Sequence, residues 1–93
     1  MMFDIERSTQ FKKDYKNIKK RNYDMKLLHD VIRILTNGEK LPAKYKDHAL
    51  KGNLKRFREC HIKPDWLLVY KINNKKLILY LSRTGSHSDI EFS

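Results

Sequence analysis

Two histidines, an aspartate, a tryptophan and an arginine stand at the ends of two apolar runs in the last third of the chain. His61-Ile-Lys-Pro64-Asp65-Trp66 opens the first run, and Leu81-Ser-Arg83-Thr-Gly85-Ser-His87 closes the second. An imidazole can give or take a proton near neutral pH, a carboxylate can orient it, and a guanidinium grips phosphate oxygens through a planar fork. That inventory suits metal-free RNA cleavage. The ribose 2′-hydroxyl is a built-in nucleophile, so a protein need supply only a base for its proton, an acid for the leaving 5′-oxygen and positive charge for the phosphate. His48, in the preceding loop, belongs to the same set. Cys-x-x-Cys, His-Glu-x-x-His and glycine-rich phosphate loops are all missing, so neither a metal nor a cofactor is expected. Cys60, the one cysteine, reads as a packed side chain within a strand.

A hairpin is what lets these residues meet. Trp66 to Ile72 and Leu77 to Leu81 are rich in apolar and β-branched side chains, and Asn73-Asn74 between them suits the positive φ angles of a tight turn. In an antiparallel pair, residues just before the first strand lie beside those just after the second. His61, Asp65 and Trp66 are thereby predicted to share a rim with Arg83 and His87. Trp66, Tyr45 and Phe92 are candidates for stacking on an unpaired base.

The rest of the chain must support that hairpin. Phe3, Ile5 and Arg7 alternate with Asp4 and Glu6 as an edge strand. Phe11, Tyr15 and Ile18 give a first helix, about Thr9 to Arg21, one narrow apolar stripe among lysines, with Asp14 its single acid. The second helix, between an Asp24 cap and an Asn37-Gly38 stop, has a wide apolar face of Leu27, Leu28, Val31, Ile32, Ile34 and Leu35. His29 lies on its polar side and is given no catalytic role. Glu39 to Asn53 reads as a functional loop containing His48. Leu54 to Ile62 follows as a strand in which Arg56 and Arg58, at alternate positions, can project together toward RNA. Ile90 and Phe92 form a last short strand or tuck onto the sheet. The order β-α-α-β-β-β, with an optional terminal strand, implies an α+β fold with two helices on one face of an antiparallel sheet and the other face open.

The 93 residues make one domain, spanning 1–93. A formal charge of +10 favours polyanionic partners by counterion release. A lone cysteine excludes an internal disulfide, and nothing resembles a signal peptide or a membrane-spanning run, so a cytoplasmic location is expected.

Three segments, Tyr45-Lys-Asp-His48-Ala-Leu-Lys-Gly52, Arg58-Glu-Cys-His61-Ile-Lys-Pro64-Asp65-Trp66-Leu-Leu-Val-Tyr70-Lys71 and Arg83-Thr-Gly85-Ser-His87, resemble the YafQ branch of the RelE/ParE toxin superfamily in content, order and spacing. The resemblance covers nearly the whole chain. It implies a microbial-RNase-like fold and the toxin of a type II toxin-antitoxin pair, a ribosome-dependent endoribonuclease that enters the A site and cuts messenger RNA. It implies His48, His61, Asp65 and His87 as the acid/base group, with His87 the general acid and the base shared among the other three. Arg83 is the implied phosphate stabiliser, and Trp66 and Phe92 the implied RNA contacts. The implied partners are a cognate antitoxin, the ribosome and, through the antitoxin, operator DNA. Two alternatives stand beside it: a ParE-like inhibitor of DNA gyrase without nuclease activity, and a basic RNA-binding module.

Overall fold

The computed structural model describes residues 2–90, so Phe92 lies outside the described residues. The element order is β1 (Asp4–Arg7), α1 (Thr9–Lys20), α2 (Met25–Thr36), β2 (His48–Ala49), β3 (Arg58–Lys63), β4 (Trp66–Asn73) and β5 (Ile78–Gly85). Two 3₁₀ turns, Ala43–Tyr45 and Gly52–Leu54, flank β2.

Both helices are fixed at their ends by the residues that capping chemistry requires. The Ser8 hydroxyl accepts the Phe11 amide at 2.8 Å and donates to the Ser82 carbonyl at 2.7 Å, so the cap of α1 also ties that helix to β5. Asp24 caps α2 by accepting the Lys26 amide. Gly38, at φ +75°, ends α2 with its amide bonded to the Leu35 carbonyl, a conformation that disfavours a side chain.

The five strands lie in the order β1-β5-β4-β3-β2. The hairpin of β4 and β5 and the pairing of β3 with β4 are antiparallel, but β1 runs parallel to β5. The sheet is therefore mixed and not wholly antiparallel. No short turn joins β1 to β5, so hairpin geometry does not dictate its sense. The β4–β5 turn also departs from expectation. The Asn73 side chain accepts the amides of Lys75 and Lys76, and the positive φ falls on Leu77, at 55°.

Alternation along β4 sends Trp66, Leu68 and Tyr70 into the helix-side core with Phe11, Ile18, Leu28, Val31 and Leu35. Leu67 and Val69 point the other way. The second face is not left open: Ile90, fully buried, packs on those two side chains, with Leu50 and Phe57 beside them. Five successive apolar residues on β4 give both faces an apolar centre, and each needs a cover.

Candidate functional site

The rim forms where β3 ends, β4 begins and β5 ends. His61 pairs with Leu67 across β3 and β4, and Leu67 pairs with Gly85 across β4 and β5. Gly85 is buried at φ +152°, and an added Cβ would come within 2.8 Å of the Asp89 carboxylate. That carboxylate accepts the Ser86 amide and the Arg21 guanidinium at 2.9 and 2.8 Å, closing a turn that presents His87. Burial pushes the Asp89 carboxyl upward, but the Ser86 amide and hydroxyl and the Arg21 guanidinium together hold it below its ordinary value.

His87 is locked to Asp65. Its backbone amide and its ring Nδ1 both donate to Asp65 Oδ1, at 2.8 and 2.6 Å. These bonds, the backbone one foremost, hold the Asp65 carboxyl below its ordinary value although it is exposed to solvent. Because Nδ1 faces a carboxylate, Nε2 of His87 is the nitrogen left for chemistry.

The His61 ring stands 5.8 Å from that of His87 and 6.2 Å from that of His48, between centroids. Three histidines thus form one row. His48 Nδ1 donates to the Lys46 carbonyl at 2.9 Å, and Nε2 points at Glu59 Oε1, 3.6 Å away. Glu59 is only 4% exposed, and its Oε2 has no hydrogen-bond partner among the described residues. The sequence reading missed Glu59. The signal was its spacing two residues before His61 on one strand, which puts both on the same face. The donor atoms of His48, Glu59 and His61 lie within 4.8 Å of one another, a set able to hold a metal ion.

Asp47 orders the His48 loop. It accepts the Arg58 guanidinium, at 2.7 Å from a terminal nitrogen and 2.9 Å from Nε, and the Tyr70 hydroxyl. Burial and that bond push the Tyr70 phenol upward. Arg58 is thus paired within the protein, although its side chain stays partly exposed. Arg56 is exposed in the turn before β3.

Packing engages two further expected site residues within the protein. Trp66 is 2% exposed, edge-on to Tyr23 at 4.9 Å, with Nε1 donating to the Thr84 hydroxyl at 2.9 Å. A ring so enclosed holds the hairpin mouth together and cannot stack on a base. Arg83 is held by α1 and by the turn that presents His87. Its Nε and one terminal nitrogen bind Asp14, at 2.8 and 3.3 Å, and the latter nitrogen also meets the Asp89 carbonyl at 3.1 Å. Asp14, buried on α1, also accepts the Thr84 amide and the Gln10 side chain. Cys60 is fully buried, and desolvation pushes its thiol upward, which disfavours a thiolate nucleophile.

Comparison with known proteins gives the family and matches the fold. The family described as bacterial toxin of type II toxin-antitoxin system, YafQ, matches residues 3–91. The mRNA interferase toxin YafQ of Escherichia coli K12 is 45% identical over 86 residues, covering 91% of each chain. The structure of a metal-bound toxin from Helicobacter pylori superposes with a TM-score of 0.88 at 51% identity, over 97% of this chain and 99% of that one. The toxin structure in the Escherichia coli DinJ-YafQ complex gives 0.86 at 43% identity, over 95% of this chain and 97% of that one. This chain belongs to the YafQ family of bacterial type II toxin-antitoxin toxins.

Proposed function

We propose that the protein is a ribosome-dependent messenger RNA endoribonuclease, released and restrained in the cytoplasm by a cognate antitoxin. The observation that carries this reading is the facing pair of His61 and the Asp65-bound His87, 5.8 Å apart between ring centroids. Two imidazoles at that separation can address the two sides of one phosphodiester.

His87 is the general acid. Asp65 stabilises its imidazolium through Nδ1, and Nε2 hands a proton to the departing 5′-oxygen. Asp65 is committed to that role, so the base is a histidine. His61 has no hydrogen-bond partner among the described residues and is free to take the 2′-hydroxyl proton. His48, anchored by the Lys46 carbonyl, stands behind it next to Glu59. Attack of the 2′-oxygen closes a 2′,3′-cyclic phosphate and expels the 5′-oxygen, which balances the two protons. Arg83 offers the phosphate its one guanidinium nitrogen outside the bonds to Asp14 and the Asp89 carbonyl, with Asp14 fixing its direction. The charge of +10 suits both ribosomal RNA and an acidic antitoxin, and operator DNA is reached through the antitoxin.

Primer extension on a defined messenger, with and without ribosomes, tests the proposal. A discrete cut that requires ribosomes and disappears in His87→Ala supports it. No cut in either condition overturns it, and a gyrase supercoiling assay then follows.

A second reading of the same rim is favoured by the buried Glu59 with its unpartnered Oε2 between His48 and His61. Those three residues fit a divalent metal such as copper or zinc; the name of one Helicobacter pylori relative records a bound metal, and that of a mutant toxin from the same organism records copper. A metal there would take the lone pair that His61 needs as a base, so it would inhibit cleavage. Calorimetric titration with zinc and copper should show a site that Glu59→Gln weakens, and cleavage should fall as the site fills. Metal-stimulated cleavage would overturn this reading.

A further inference from the structure

A cavity of about 510 Å³ opens beside the catalytic row, sharing His61 and His87 with it, and its remaining walls have no part in the chemistry above. Its walls include Tyr45 from the first 3₁₀ turn, Lys46, His61, the Lys63-Pro64 turn and His87. Pockets of roughly 300–1,000 Å³ are the usual size for small ligands. This one combines an aromatic ring, a proline, three lysines and two catalytic imidazoles. Tyr45 is half-buried against the helix-side core, which fixes its ring, and Lys44 lies over that ring with Nζ 5.1 Å from the centroid. Lys46 and Lys63 are exposed and make no ion pair among the described residues. The backbone of Lys46 is left-handed, at φ 50°, a conformation that costs energy for a residue with a side chain. It also brings the Lys46 carbonyl to His48 Nδ1. One residue therefore sets both the position of a catalytic histidine and the mouth of the cavity.

We propose that this cavity is the subsite for the nucleotide that supplies the attacking 2′-hydroxyl. Its base stacks on Tyr45 against the Pro64 wall, and its phosphate lies between Lys46 and Lys63. His61, the base, and His87, the acid, both line the cavity; the choice of nucleotide follows from the side that Tyr45 and Lys46 build, since their turn packs on β3, which carries His61, and Lys46 anchors His48. The proposal rests on the endoribonuclease reading, since it assigns the two ends of the scissile phosphate. It also reassigns part of the phosphate charge. Arg83 has two of its three nitrogens occupied by Asp14 and Asp89, whereas both lysines are free.

Adenosine 3′-monophosphate, with inorganic phosphate as the reference, tests the subsite by NMR titration of the full chain without any turnover. The nucleotide should shift the Tyr45 and His61 resonances and bind about tenfold more tightly than phosphate, the size expected of one base stacked on an aromatic ring. Tyr45→Ala should erase that advantage and Tyr45→Phe should retain it, which guards against a variant that merely unfolds. Lys63→Gln should weaken nucleotide and phosphate alike. Equal binding of nucleotide and phosphate, shifts confined to another surface, or an unchanged advantage in folded Tyr45→Ala would overturn the subsite. If the wild type cuts ribosome-bound messenger but shows any of those results, only the subsite falls; if it cuts nothing, the endoribonuclease reading falls with it.

Discussion

The rim holds two carboxylate-histidine pairs built in opposite ways. Asp65 and His87 are both exposed, 2.6 Å apart and doubly bonded, with the carboxylate held anionic by the histidine's own backbone amide. Glu59 and His48 stand 3.6 Å apart, the acid almost fully buried and half unsatisfied, the histidine exposed and anchored to a carbonyl instead. The first pair is a finished unit: every bond that fixes His87 is made within it and water reaches its free nitrogen. The second is unfinished, with a buried oxygen that no group among the described residues satisfies. A finished pair suits a proton donor that must keep one orientation through a catalytic cycle. An unfinished one suits a place where something else completes the contacts, whether substrate, metal or a shared proton.

The largest effect should separate the pairs by activity. His87→Ala removes the acid and should lower single-turnover cleavage on ribosomes by about 10²–10⁴-fold, the usual contribution of a positioned acid or base. His48→Ala, one histidine removed from the scissile bond, should cost less. Equal losses would mean that the two pairs act as one unit and would dissolve the contrast drawn between them.

Next in size is a stability effect outside both pairs. Asp14→Ala leaves the Arg83 charge without its partner and the Thr84 amide without its acceptor, both close to the turn that presents His87. Breaking a buried ion pair from one side costs about 3–5 kcal/mol. Urea unfolding should read a loss of that order. A loss below about 1 kcal/mol, the level of a surface pair, would show that the rim does not depend on this anchor.

Glu59→Gln sharpens the comparison at smaller scale. It removes a buried charge that only one oxygen compensates, so the unfolding free energy should rise by on the order of 1 kcal/mol while cleavage falls, a trade between stability and activity. Destabilisation by that substitution would mean that the carboxylate is satisfied in solution and that the second pair is as complete as the first.

Much of this arrangement was legible in the sequence. The wide apolar face of α2 and the two runs of the hairpin have strong periodicity, and the convergence of His61, Asp65 and His87 follows from antiparallel pairing alone. The residues that escaped did so for specific reasons. Asp14 sits among lysines on α1 and reads as part of a solvated face; only the distant Arg83 and Thr84 make it buried. Trp66 has the same spacing whether it stacks on RNA or packs edge-on against Tyr23. Arg58 looks like a phosphate ligand until the loop brings Asp47 beside it. Each miss is a long-range polar contact, which neither propensity nor periodicity encodes. The sense of β1 belongs to the same class, because its partner β5 is nearly the whole chain away.

The smallest expected effect tests the exposed pair through its pH dependence. The folded Asp65 carboxyl titrates below its unfolded value, because the His87 amide and ring favour its charged form. A group depressed in this way contributes stability that is fully present above the ordinary carboxylate range and is lost as pH falls through the lower, folded value. Asp89 and Asp30 are depressed as well, so the acid limb of the wild-type curve sums several groups. The difference in Tm between wild type and Asp65→Asn isolates the one of interest: it should be constant at neutral pH and shrink toward zero in acid. Cleavage should share that limb, because protonating Asp65 removes the charge that stabilises the His87 imidazolium. A Tm difference that persists unchanged into strong acid would mean that the bonds from His87 bind the neutral carboxyl equally well, and the exposed pair would then be held by geometry and not by charge.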